Sequence, residues 1–234
     1  MSVVNVIKNL SLVFLFAIMA LEGNAQMTIG LQGGGNLSTM DFTNNPDYKY
    51  TEVNYTKGFI GGLIIQFITE KHTGIQMELN YAQKGWVEID TTFGKNLKNT
   101  NQMDYLELPI LTHINMGAGN FRGLFNLGPY IGYALNRSYT ITDEITGSSE
   151  SHEYTFNKDL DNRIDFGLLV GFGFEYRFAF GKLATEARYA IGLGDVDKNK
   201  GSQAEVSQFR VIGVLLRYSI PLNRKSMESK TDPK

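Results

Sequence analysis

The stretch that decides the fold is Ile164 to Phe178, which reads IDFGLLVGFGFEYRF. Its eight even positions are all large and apolar or aromatic, whereas its odd positions carry glycine and charge, with Leu169 as the apolar exception. A period of two residues is the pattern of a β-strand with unlike faces. An apolar stripe of this length would be a hazard in water, but lipid accepts it. The segment therefore predicts a strand that crosses a membrane.

Seven further segments repeat this alternation less cleanly. They begin near Met27, Phe59, Ile75, Leu106, Phe121, Leu183 and Ile212. Together the segments give eight strands of roughly ten residues, the length that a tilted membrane strand needs. Eight strands form one of the smallest natural barrels, in which only side chains fit the lumen. We therefore predict an all-β fold, an eight-stranded antiparallel up-and-down transmembrane β-barrel.

The connections between these strands alternate strictly between long and short, and the first one is long. The long connections cover about 38–56, 87–102, 138–162 and 195–206. Outer-membrane barrels have this asymmetry, with short periplasmic turns and longer extracellular loops. We therefore expect both termini in the periplasm, with an aromatic girdle at that end. Its predicted members are Phe67, Phe121, Phe178, Phe180 and Tyr218.

The first 25 residues have the pattern of a secretory signal peptide. Lys8 precedes an apolar run, and small residues at positions 23 and 25 precede a cut before Gln26. The run is shorter than the roughly 20 residues that a membrane helix needs. We predict a cleaved signal peptide over residues 1–25, a barrel over 26–222 and a polar, disordered tail over 223–234.

Composition excludes several classes of function. The 234 residues include 22 Lys and Arg against 24 Asp and Glu, so the net charge of −2 gives no electrostatic case for nucleic-acid binding. The absence of cysteine excludes disulfides, thiol nucleophiles and cysteine-ligated metal sites. A soluble barrel of lipocalin type is the alternative fold, with an apolar lumen. It would have to pack the eight large groups of Ile164 to Phe178 inward, which overfills so small a barrel.

Four motifs carry a resemblance to a known family. They are the segments Tyr105–Ile110, Gly128–Tyr133, Asp165–Arg177 and Glu186–Leu193. In this order they resemble the PorT-like outer-membrane β-barrel family, over most of the chain from about Gln26 to Leu222. The resemblance implies a barrel in the outer membrane of a Gram-negative bacterium, built by the barrel assembly machinery. Because the founding member is linked to secretion, it also suggests an alternative role as an accessory part of a protein secretion system.

The predicted inward face carries charges of both signs. Charges removed from bulk water must be paired or hydrated. We therefore expect a salt-bridged plug that fills the lumen, with an ion path or a small-molecule site as the alternative. Glu175 and Arg177 should lie within reach of Glu186 and Arg188 on the neighbouring strand. The predicted network consists of Glu78, Glu107, Arg122, Asp165, Glu175, Arg177, Glu186, Arg188 and Arg217.

Candidate chemistry is sparse. Among three histidines, His113 alone is predicted to face inward, and no serine can be placed beside it. We therefore predict no enzyme, no cofactor and no metal, with an outer-membrane lipid-modifying enzyme as a weaker alternative. Oxygen ligands at 195, 197 and 199 resemble the start of a calcium loop, but the glycine comes one place late, so a solvated loop is the better interpretation.

The third long connection is acidic, since six carboxylates lie between residues 143 and 161. Loops on a rigid scaffold often carry recognition. This one could bind a partner, or bridge to lipopolysaccharide through divalent cations, or simply be solvated. The leading hypothesis is a non-enzymatic barrel with a structural or loop-mediated binding role in the cell envelope, in contact with outer-membrane lipid and lipopolysaccharide.

Overall fold

The structure, a computed structural model, describes residues 26–43, 51–68, 72–90, 97–157, 159–196 and 206–222. These residues form β-strands joined by turns and irregular segments. The strands are β1 (Gln26–Thr43), β2 (Thr51–Asn54), β3 (Thr56–Ile68), β4 (Thr73–Asp90), β5 (Leu97–Met116), β6 (Phe121–Asp143), β7 (Ser149–Glu153), β8 (Ile164–Phe178), β9 (Gly181–Gly192) and β10 (Val206–Pro221). No helix within the described ranges is long and apolar enough to cross a membrane.

Eight of these strands close into a ring. Its order is β1, β3, β4, β5, β6, β8, β9 and β10, and every neighbouring pair is antiparallel. β10 returns to β1 in a continuous register from Thr28↔Pro221 to Thr43↔Val206. β2 is separated from β3 by Tyr55 alone, and both pair with β4, so they form one wall strand. The predicted eight-stranded up-and-down barrel is confirmed.

The two faces of the wall differ as the sequence predicts. On β8, the even-numbered side chains from Ile164 to Phe178 point outward and most are exposed, whereas Asp165 and Glu175 are buried in the lumen. The same alternation runs along β5 and β9. Apolar groups therefore cover the outside and polar groups fill much of the inside. The lipocalin-like alternative, with an apolar lumen and a polar exterior, is wrong.

The strands continue further into the long connections than predicted. Residues 87–102 were expected to form a loop, yet β4 and β5 remain paired there, from Val87↔Thr100 to Asp90↔Leu97. Likewise β6 extends to Asp143 and pairs with β7, within the expected loop 138–162. Both extensions mix polar with apolar residues, so the continuous apolar row ends while the backbone ladder goes on. We call this side of the barrel the loop end.

The opposite side, where the short turns and both termini of the described barrel lie, is called the turn end. Gly117 and Gly119 have φ values of 104° and 74° in the turn from β5 to β6, which residues other than glycine adopt at a cost. Around this end, exposed aromatic rings stack in pairs, Phe121 on Phe174 and Phe178 on Phe180. The predicted signal peptide (1–25) and tail (223–234) lie outside the described residues.

The outward position of Leu168 in the middle of β8 gives a test of the membrane-facing wall. We expect Leu168→Arg to lower the free energy of unfolding in phospholipid vesicles by about 2–4 kcal/mol, because the guanidinium must enter hydrocarbon. Equilibrium unfolding in urea measures this change. The matched control is Ile145→Arg, since Ile145 is 70% exposed in the connection between β6 and β7. Equal losses at both positions would contradict the assignment of the apolar band to lipid.

Candidate functional site: the lumen

The middle of the lumen holds a chain of buried ion pairs. Arg188 of β9 binds Glu78 of β4 with both terminal nitrogens, at 2.7 Å (Nη1 to Oε2) and 2.6 Å (Nη2 to Oε1). Its Nε donates to Oε1 of Glu186 at 2.7 Å. Arg217 of β10 then reaches Oε2 of Glu186 at 2.5 Å. Four charges, two of each sign, therefore link the three strands β4, β9 and β10. The planar guanidinium group of arginine suits such bidentate contacts with carboxylates.

Buried amides complete this central network. Gln32 and Asn80 both donate to Oε2 of Glu78, at 2.6 and 2.8 Å. Asn126 donates to Oε2 of Glu186 at 2.7 Å, and Gln76 accepts from Arg217 at 3.0 Å. Each carboxylate therefore accepts several hydrogen bonds, as a buried charge requires. Gly171 lies opposite Arg188 in the register, and a Cβ there would collide with Glu186, so this glycine makes room for the network.

A second cluster lies nearer the loop end and centres on Lys84. Its ammonium forms ion pairs with Glu107 and with Asp165, the latter at 2.8 Å, and Tyr130 donates to the same Asp165 oxygen at 3.1 Å. The ammonium also lies 4.6 Å from the ring centre of Tyr130 and 5.0 Å from that of Tyr105. Carboxylates and aromatic faces together replace the hydration that Lys84 loses. A cavity of about 30 Å³, large enough for a water molecule, separates this cluster from Arg188.

Above Lys84, the loop end of the lumen is filled by apolar groups. The rings of Trp86 and Tyr105 both contact Phe209 edge-on, at 6.0 and 5.9 Å between centroids. Phe156, from the segment after β7, packs against them. We call this group the apolar cap. Its buried members are Met40, Trp86, Met103, Tyr105, Ala134, Val196, Phe209 and Val211.

The segment after β7 is fastened over the cap by two arginines. Arg163 donates to the carbonyl of Ala134 at 3.0 Å and stacks on Phe156 at 4.4 Å. Arg137 stacks on Tyr154 at 4.5 Å and approaches Asp161 at 3.6 Å. Asp161 is therefore a buried structural group, although the acidic pattern alone placed it in a solvated or binding loop.

At the turn end the lumen is polar and rich in cations. Glu175 is buried and accepts a hydrogen bond at 2.7 Å from Arg177, which is about a quarter exposed. Arg122 donates to the backbone carbonyl of Gly119 at 3.1 Å. Lys182 of β9 is buried beside them.

The structure places the nine predicted network residues in three groups. The central network consists of Glu78, Glu186, Arg188 and Arg217. The second group, which pairs with Lys84, is Glu107 and Asp165. The third group lies at the turn end and consists of Arg122, Glu175 and Arg177. The contacts expected between Glu175–Arg177 and Glu186–Arg188 do not form, since each pair closes within its own strand. Glycines face Glu186 and Arg188 across the β8–β9 ladder.

Sequence reasoning missed Lys84 and the filling of the loop end. The second long connection was predicted to begin at residue 87, whereas β4 continues to Asp90. Carrying the even positions on from Gln76, Glu78 and Asn80 would have placed Lys84 and Trp86 inward, so the signal was present. Lys182, which is also buried in the lumen, was not part of the predicted network.

Each of the three histidines has a different contact partner, and none of these partners is another histidine. His113 is buried, and its Nδ1 lies 2.7 Å from Oδ1 of Asn126. His72 contacts a backbone carbonyl, and His152 stacks on Tyr139. Among the described residues, no group of three or more metal-ligating side chains comes together. The calcium-like spacing falls largely on residues 197–205, which lie outside the described ranges.

Comparisons with known proteins agree with this architecture. A family model described as outer membrane protein beta-barrel domain matches residues 24–198. No curated protein matches the sequence.

Similar solved structures include Ail of Yersinia pestis, with 11% identity over 83% of this chain and 99% of that one, at a TM-score of 0.41. OprG from Pseudomonas aeruginosa has 15% identity over 86% and 96%, with a TM-score of 0.44. The protease OmpT from Escherichia coli has 9% identity over 84% and 95%, with a TM-score of 0.36. At these TM-scores the likeness says nothing about activity.

The two-pronged pair between Arg188 and Glu78 gives a test of the central network. We expect Arg188→Met to lower the free energy of unfolding by about 3–5 kcal/mol, because Glu78 and Glu186 would be left as buried carboxylates with one arginine between them. The control is Arg210→Met, which removes a partly exposed pair with Asp41 and hydrogen bonds to the carbonyls of Gly192 and Phe209, and should cost about 0–1 kcal/mol. Urea unfolding in vesicles measures both. A loss at Arg188 no larger than at Arg210 would show that the network is solvated.

Proposed function

Because this chain belongs to the outer membrane protein beta-barrel domain family, we propose that it is an integral outer-membrane barrel with a closed lumen and a non-enzymatic role in the cell envelope. The observation that carries the proposal is the filling of the lumen in successive layers. Ion pairs around Arg188 occupy the middle, Lys84 and its carboxylates follow, and the apolar cap ends the series.

An ion crossing this lumen would have to break both charged layers and then enter the apolar cap. Breaking a buried ion pair is costly because each partner is left without compensation. The cap adds a second barrier, since Trp86, Tyr105 and Phe209 offer an ion almost no polar ligand. The filled lumen therefore favours a barrel that fixes its own shape over a pore.

The placement of His113 supports a role without catalysis. A general base must reach the proton that it abstracts, either directly or through a water molecule. His113 has no exposed surface and is held by Asn126, which in turn binds Glu186 of the central network. Its position favours a structural group over a catalytic base for lipid substrates.

The remaining surfaces suggest where the barrel acts. The outward apolar band suits contact with outer-membrane lipid and lipopolysaccharide, and we place the turn end and both termini in the periplasm. The loop end, stiffened by the β6–β7 hairpin, is then the surface for loop-mediated binding. The PorT-like kinship and an accessory role in secretion rest on the motif order alone and stay predictions.

Conductance in planar lipid bilayers tests the closed lumen. We expect the full chain, inserted as a heat-modifiable barrel, to give no steady channel at 1 M salt, because salt bridges and the cap block the axis. A general porin inserted in the same bilayer serves as the positive control. Steady conductance that scales with the number of inserted barrels would contradict the proposal.

A further inference from the structure

The turn end of the lumen collects cations from three successive strands. Arg122 of β6 lies opposite Glu175 of β8, and Arg177 of β8 lies opposite Lys182 of β9. All four belong to the inward-facing rows of their strands, although Arg122 and Arg177 are partly exposed at the opening. Three positive charges therefore surround one carboxylate, and this group carries a surplus of two positive charges.

The single carboxylate is already engaged. Its oxygen Oε1 accepts from Arg177 at 2.7 Å, while Arg122 uses its Nε on the carbonyl of Gly119. Lys182 is 2% exposed, and within the described ranges it makes no hydrogen bond or ion pair. In the strand register it lies opposite Arg177 of β8 and Ser219 of β10, so neither of its cross-strand neighbours is a carboxylate. A buried ammonium in this setting needs a further partner.

Other buried polar atoms at this level also lack hydrogen-bond partners among the described residues. Asn115 has neither its amide nitrogen nor its oxygen bonded, and it lies one inward position beyond His113 on β5. In the β5–β6 register Asn115 lies opposite Leu124, two residues from Arg122, so it adjoins the cation group. Thr28 of β1, whose hydroxyl is likewise unbonded, lies next to β10 two residues from the row that pairs with Lys182. Ammonium, amide and hydroxyl groups without a protein hydrogen bond therefore line the lumen at this end of the barrel.

We propose that the turn end of the lumen is a binding site for a phosphate-type oxyanion, with Lys182 as its buried anchor and Arg122 and Arg177 at its opening. A tetrahedral oxyanion accepts several hydrogen bonds at once, and its charge offsets the local surplus. Arginine at the opening suits phosphate, since its guanidinium has donors left over after one contact. The anion enters from the turn end alone, because the apolar cap closes the other end. Its source is either free phosphate or the headgroup of an anionic phospholipid.

The test compares two lysine variants of the full chain, folded in a neutral detergent. Lys182→Gln removes the anchor. Lys57→Gln removes an exposed lysine on the outer wall and is the matched control. Inorganic phosphate is titrated by calorimetry at constant ionic strength, with chloride as the reference anion. We expect saturable binding to the wild type and to Lys57→Gln, and affinity at least tenfold lower for Lys182→Gln.

Unfolding midpoints separate this role from a structural one. Without phosphate, Lys182→Gln should be at least as stable as the wild type, since it relieves repulsion among buried cations. Phosphate should raise the midpoint of the wild type and of Lys57→Gln, but not that of Lys182→Gln. Vesicles of phosphatidylglycerol and of phosphatidylcholine distinguish the two sources. If phosphatidylglycerol vesicles stabilise the wild type but not Lys182→Gln in the absence of free phosphate, the ligand is a lipid headgroup. If stabilisation requires free phosphate in both kinds of vesicle, the ligand is the soluble anion.

Two results would overturn the proposal. One is binding of phosphate to Lys182→Gln with wild-type affinity, and the other is no saturable binding to a wild-type barrel that is shown to be folded by heat-modifiable migration. Stabilisation by an acidic peptide such as polyglutamate, without any effect of phosphate, would likewise overturn it and indicate a protein partner.

Discussion

Closure of the ring by β1 and β10 is the constraint on which the rest of this structure depends. Hydrocarbon offers no hydrogen bonds, so a sheet that crosses it must leave no edge unpaired. The register from Thr28↔Pro221 to Thr43↔Val206 meets that requirement. Closing at eight strands leaves a lumen only as wide as its own side chains. The inward residues must therefore satisfy one another, and the ion pairs of Arg188 and Lys84 are the result of that narrowness.

The two ends of the lumen solve this packing problem differently. The loop end uses aromatic and thioether side chains, joined by a folded-back segment that Arg137 and Arg163 hold in place. The turn end uses charges and amides, several of which have no protein partner among the described residues. One end of the lumen is therefore apolar and the other is polar.

The two-residue alternation along the chain was enough to predict the fold and to predict which side chains point outward and which point into the lumen. The fifteen residues of β8 state both faces of the wall without ambiguity. The two-residue alternation does not determine how far each strand is shifted relative to its neighbours. It therefore could not predict that Arg188 pairs with Glu78, 110 residues away, instead of with Glu175 on the adjacent strand. It also failed at the loop end, because Gln83 and Gly85 interrupt the outward apolar row beside Lys84 and Trp86. There the alternation between apolar and polar residues ceases to mark a strand, although the pairing of backbone groups continues.

The ladder that β6 forms with β5 and β7 beyond the cap has a further consequence. The seven residues from Arg137 to Asp143 remain in strand conformation, and at about 3.3 Å each they extend roughly 20 Å along the strand. The paired strands therefore hold the tip of the hairpin rigidly, away from the barrel. A receptor or antibody that recognises the tip would meet an epitope already in shape, and would lose little conformational entropy on docking.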